Sequence, residues 1–103
     1  MNIGLAFRKV RFEKFPNGEK RQYEIAKAAK ISQTFLSQIE KGTKIPSQSV
    51  VERLCRVYDV PQIVIAWYGT EEKEIKPNKK GMYNSIKPVI DGLISELIKS
   101  SKK

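Results

Sequence analysis

The sequence predicts an all-α protein: five short helices on one core, followed by a C-terminal amphipathic helix. Three observations point there. Apolar residues recur at three- and four-residue steps along most of the chain, the period of a helix with one buried stripe. Each such run is bounded by a capping or breaking residue. No period-2 run is long enough to argue for a sheet, and no internal repeat is present.

Asn2 is placed to cap a first helix with Ile3, Ala6, Phe7 and Val10 on its buried stripe. Phe15-Pro16-Asn17-Gly18 ends it, because Pro16 restricts the residue before it and Asn-Gly is strong turn chemistry. A second helix begins near Glu19–Gln22 and turns Ile25, Ala26 and Ala29 inward. Ser32 caps a third, whose apolar positions are Phe35, Leu36 and Ile39, and Gly42 sits where a left-handed C-terminal residue belongs. Ser47 caps a fourth, bearing Val50, Val51, Leu54 and Tyr58. After the break at Asp59-Val60, Pro61 serves as first residue of a fifth that runs through Ile65 and Trp67 to Gly69-Thr70.

Beyond Gly69 the composition changes. Residues 71–82 are mostly charged or turn-forming and read as a linker between a domain at 1–70 and a C-terminal segment at 83–103. In that segment Ile86, Val89, Ile90, Leu93, Ile94, Leu97 and Ile98 form one wide apolar face on a helix from about Ser85 to Ser100. Pro88 is expected in its first turn, where a missing N–H costs little. Gly92 inside it costs about 1 kcal/mol relative to alanine. A face this apolar packs back on its own domain or against another copy.

Composition narrows the chemistry. With 20 Lys plus Arg against 11 Asp plus Glu, the 103 residues carry a formal net charge of +9, which favours polyanionic partners, nucleic acid first. The chain has no histidine and one cysteine, so histidine acid–base catalysis, thiolate or imidazole zinc sites and an intrachain disulfide are all excluded. Cys55 reads as a small buried hydrophobe. No glycine-rich phosphate loop and no acid pair in an evident pocket is present, so neither an enzyme nor a cofactor is expected. No apolar run approaches the ~18 residues of a membrane span, and no signal-peptide core is visible at the start, so the expected location is the cytoplasm, with no membrane partner.

The stretch from Gln22 to Gly42 is two short helical patterns joined by a tight turn. With Ala26 small at the crossing, Ile31 under the turn and Leu36 and Ile39 anchored below, a polar edge of the third helix faces outward. Residues 3–68 resemble the Cro/repressor family of phage and bacterial regulators, also called the XRE family. The resemblance is densest at Gln22, Glu24-Ile25-Ala26, Ile31-Ser32, Ser37-Gln38-Ile39-Glu40, Gly42 and Pro46-Ser47. It implies a compact five-helix, lambda-repressor-like DNA-binding domain with its helix-turn-helix at about 22–41, whose third helix enters the major groove.

The resemblance places base contacts at Gln33, Thr34 and Gln38, with Ser32 and Ser37 nearby. Glutamine suits adenine, and threonine offers a hydroxyl or a methyl for thymine. It also places a phosphate contact at Gln22, on the helix N-terminus. Lys41, Thr43 and Lys44 are positioned to hold the backbone on the other side. Arg11 and Glu40 match an ion pair that joins the first and third helices in this family. Two departures stand out. Lys30 occupies a turn position that is commonly glycine, and Lys20 replaces an apolar residue, with Phe12 or Phe15 available to fill its place.

The function these features imply is sequence-specific binding of double-stranded DNA by a homodimeric transcriptional regulator, a repressor before an activator. One reading helix covers only about four to six base pairs, so two copies on a palindromic operator are expected. Candidate dimer surfaces are the fifth helix (Ile63, Val64, Trp67) and, preferred, the C-terminal helix through Ile86, Ile90, Leu93, Ile94 and Leu97. The alternative is an antitoxin-type module whose apolar tail takes a small protein partner and whose DNA-binding domain autoregulates the pair.

Overall fold

Asn2 opens α1 (Ile3–Lys14) by accepting the Leu5 N–H on its Oδ1 at 2.9 Å. The computed structural model describes residues 1–17 and 20–100, with only the backbone of Lys20. Gly18 of the first turn, Glu19, the Lys20 side chain and residues 101–103 of the expected C-terminal segment lie outside it. Five further helices follow: α2 (Lys20–Ala28), α3 (Gln33–Lys41), α4 (Gln48–Tyr58), α5 (Gln62–Gly69) and α6 (Lys80–Ser100). The fold is all-α, with six α-helices among the described residues.

Local chemistry sets most boundaries. Ser32 Oγ accepts the Phe35 N–H at 3.0 Å and Ser47 Oγ the Val50 N–H at 3.3 Å, so both serine hydroxyls cap their helices. Gly42, at φ +83°, ends α3 in the left-handed region. Asp59 ends α4 the same way at φ +58°. Pro61 is the cap residue of α5 rather than its first helical residue.

Lys30, at φ +62°, is a left-handed lysine in the turn between α2 and α3. That conformation strains an L side chain and suits glycine. Lys30→Gly is therefore expected to raise stability by about 1 kcal/mol or slightly less, some of the gain being lost to the freer unfolded chain. Urea unfolding checks it; an unmoved midpoint would show that this turn holds no strain.

The core runs through all six helices. Phe7 of α1 stacks on Tyr58 of α4 with ring centroids 6.3 Å apart. Leu36 and Ile39 under α3, Leu54 of α4, Val64 of α5 and Ile98 of α6 are all buried with them. Phe15 packs at the edge of this cluster, while Phe12 stays on the surface of α1. Cys55 is buried in the cluster, and burial pushes its thiol up to about 11, so it stays protonated and unreactive at neutral pH. α1 and α3 cross so closely at Gly4 that a Cβ there would overlap the carbonyl of Ile39.

The C-terminal region differs from expectation. Residues 71–79 are not plain linker; they form two short 3-10 turns, Glu72–Glu74 and Pro77–Lys79. α6 then begins at Lys80 rather than near Ser85, which puts Pro88 inside the helix instead of in its first turn. Pro88 and Asn84 are both exposed, so the carbonyl that loses its helical partner can face water. What holds the extra turns is Tyr83, buried with its ring 5.6 Å from that of Trp67.

α6 docks on α1 and α5 through a mixed seam. Trp67 Nε1 donates to Asp91 Oδ1 at 2.6 Å, and Lys87 Nζ donates to Asp91 Oδ2 at 2.7 Å. Burial works to raise the Asp91 carboxyl, but the Lys87 and Trp67 hydrogen bonds outweigh it and hold it below the usual range. One turn on, Glu13 of α1 accepts from Tyr68 Oη at 2.7 Å and from Ser95 Oγ at 3.0 Å. Ile98 closes the seam at 0% exposure. No helix among the described residues is long and apolar enough to cross a membrane.

Candidate nucleic-acid interface

The interface is built on α3, whose nine residues divide cleanly into an oily underside and a polar edge. Phe35, Leu36 and Ile39 turn toward the core. Ser32, Gln33, Thr34 and Lys41 are exposed, and Ser37 and Gln38 are half-buried at the flanks of the same edge. Ser32 spends one lone pair of its hydroxyl on the α3 cap, leaving the O–H proton to donate outward.

Gln22 stands at the first turn of α2, half-buried against α3. Its Nε2 donates to Glu40 Oε1 at 3.3 Å, and its Oε1 accepts from Gln33 Nε2 at 3.3 Å. Glu40 is itself gripped by Arg11, whose Nε and Nη2 donate to its two carboxylate oxygens at 2.8 and 2.7 Å. A continuous polar chain therefore runs from the buried pair through Gln22 to Gln33 on the exposed edge. Such a chain restricts both amides to one orientation, the kind of preorganisation that a reading side chain needs. The expected link between the first and third helices is present, and both side chains are only 4% exposed.

The other flank of α3 is tied to the loop that follows. Thr43 N and Lys44 N both donate to the Gln38 carbonyl, at 3.0 and 3.3 Å, and Thr43 Oγ1 donates to it at 3.2 Å. This closes the end of α3 and fixes Thr43 and Lys44 beside Gln38, with both side chains exposed. Ile45, next in the chain, is 85% exposed. The nine residues singled out for DNA thus lie on one side of the molecule, along α3, the start of α2 and the α3–α4 loop. The docked α6 packs on α1 and α5, away from α3.

One group was not visible in the sequence. Arg8 and Phe12 of α1 line a concavity of about 570 Å³ together with Gln22, Ser37, Lys41 and the Arg11–Glu40 pair. Arg8 and Phe12 sit one helical turn apart, a spacing that reads as an ordinary surface pair until α2 and α3 are in place.

The five residues named for self-association are divided. Ile94 packs against the core and Ile90 is half-buried, whereas Ile86, Leu93 and Leu97 are exposed. With Met82 and Val89 the exposed three form a stripe at steps of three and four residues along α6, Leu93 being 64% exposed. Ile63 of α5 is exposed as well, while Val64 is buried and Trp67 is held by α6.

Compared with known proteins, residues 6–67 match the family model described as a helix-turn-helix domain. No curated protein and no solved structure matches the chain.

Proposed function

The chain belongs to the helix-turn-helix domain family, and on that premise we propose that it is a Cro/repressor-type transcriptional regulator. It acts in the cytoplasm as a homodimer, binds a palindromic operator and represses. The observation that carries the reading is α3 itself: a short rod anchored by Leu36 and Ile39, with Gln33, Thr34 and Gln38 left outward and nothing of the chain packed over them.

In this reading Gln33, Thr34 and Gln38 meet base edges in the major groove, with Ser32 and Ser37 beside them. Gln22, Lys41, Thr43 and Lys44 hold the backbone on either side and supply salt-dependent affinity without sequence preference. The second copy is needed because one such helix reads too few base pairs to find a genomic site. Its contact is the outward stripe of α6, Met82, Ile86, Val89, Leu93 and Leu97, since the inward half of the apolar arc is already taken by the domain. A heterologous small protein seated on that stripe would replace the second copy and turn the reading toward an antitoxin-type module.

Selection of bound sequences from random duplex DNA tests all of this at once. A symmetric pair of half-sites about one helical turn apart is the expected result. Gln38→Ala should relax base preference within each half-site. Lys44→Ala should weaken binding to every sequence alike and lower the salt slope by about one unit. A single asymmetric site, or no enrichment, would overturn the dimer or the DNA reading respectively.

A further inference from the structure

Three helices meet at the concavity beside α3, and their charges do not cancel. Its floor is the Arg11–Glu40 pair, in which both carboxylate oxygens are engaged by one guanidinium at 2.7 and 2.8 Å. With that acid neutralised, two cations face the space from opposite walls: Arg8 of α1 and Lys41 of α3. Among the described residues neither has a carboxylate within ion-pair distance. Two uncompensated cations over a low-dielectric floor focus positive potential into the cup.

The walls also supply geometry. The Arg8 guanidinium lies 5.5 Å from the centroid of the Phe12 ring, and Arg11 flanks the same ring at 4.6 Å. Phe12 therefore braces Arg8 by cation–π attraction, restricting a side chain that would otherwise range through solvent. Ser37 is half-buried in the opposite wall, and no described residue takes a hydrogen bond from its hydroxyl. A guanidinium fork, an ammonium and a free hydroxyl converging on one space make a receptor for a tetrahedral anion.

We propose that this cup seats one backbone phosphodiester of bound DNA, with Arg8 as its guanidinium ligand, Lys41 as the opposing cation and Ser37 as the hydroxyl donor. The proposal rests on the DNA-binding reading above. It adds α1 to the interface and moves Ser37 from the bases to the backbone. DNA is favoured over a free anion because Ser37 and Lys41 belong to the same edge of α3 that carries Gln33, Thr34 and Gln38. A duplex laid on that edge brings its backbone to the cup.

The test titrates the full chain with a fluorescein-labelled duplex of random sequence over a range of salt. Arg8→Ala should weaken binding about five- to tenfold near 0.1 M salt and lower the slope of log K against log salt by about one. Arg8→Lys should restore the slope but only part of the affinity, because an ammonium lacks the fork. Ser37→Ala should weaken binding to all sequences without altering the selected half-site. Arg56→Ala, an exposed arginine in the last turn of α4, removes the same charge away from the cup and should change little.

If wild type binds but Arg8→Ala and Arg56→Ala are indistinguishable, the cup is overturned and the DNA reading stands. If wild type binds no duplex, both fall. A rise in Tm specific to inorganic phosphate that Arg8→Ala abolishes, with duplex binding untouched, would assign the cup to a free anion and overturn the proposal.

Discussion

Gly4→Ala is expected to lower the stability of this protein by about 3 kcal/mol or more, the upper end of overpacking costs. The added methyl has nowhere to go. It would overlap the backbone carbonyl of Ile39, with the carbonyl carbons of Ile39 and Glu40 close behind at 3.2 and 3.5 Å. A side chain can rotate aside; a carbonyl within a helix cannot without moving the helix. α3 would be pushed off α1, opening the packing of Ala6, Phe7 and Val10 against Leu36 and Ile39.

For a domain of this size the loss corresponds to a fall in Tm of about 12–24 °C. Gly92→Ala is the matched control. Its Cβ would meet nothing within 4 Å on the exposed side of α6, so alanine there should stabilise by about 1 kcal/mol through helix propensity. Equal effects of the two substitutions in thermal melts would show that helix crossing does not govern Gly4.

The second large effect falls on the pair beneath the reading edge. Removing one partner, as in Arg11→Met, leaves the Glu40 carboxylate buried without its guanidinium and should cost about 3–5 kcal/mol. Replacing both, as in Arg11→Met with Glu40→Met, should recover most of that loss, because the desolvation penalty disappears with the charges. The double variant then separates folding from recognition. Gln22 loses the Glu40 oxygen that holds its amide at 3.3 Å, so Gln33 loses a braced neighbour while the fold persists. Denaturation and sequence selection on the same variant check it. A double variant as unstable as the single one would show that this site demands charge, and unchanged selectivity would remove Glu40 from the recognition chain.

Much of this architecture could be read without coordinates, for a physical reason. Caps are local: Asn2, Ser32, Ser47 and Gly42 each act on backbone within four residues, so their positions suffice to place them. The strained turn at Lys30 was legible in the same way, as was the pairing of Arg11 with Glu40 once the family resemblance set the register.

What escaped depends on which surfaces meet. Pro88 looked like a helix start because proline is tolerated there. The packing of Tyr83 on Trp67 carries the helix past it to Lys80. The apolar arc of α6 was visible, but periodicity alone does not say which half the domain covers. Asp91 and Ser95 decide it, by bonding to Trp67 and Glu13 far back in the chain. Arg8 escaped for the same reason, since a concavity made by three helices has no signature along any one of them.

The burial of Ile98 carries a last implication. The recurrent stretch shared with other proteins stops at residue 67, yet a side chain made some thirty positions later fills the centre of the same core. A fragment trimmed to the shared stretch would carry an open notch beside Val10 and Val64. On the ribosome the nascent helices would wait with that notch unfilled until α6 emerged. The piece inherited as a module and the piece that melts as one are therefore not the same length.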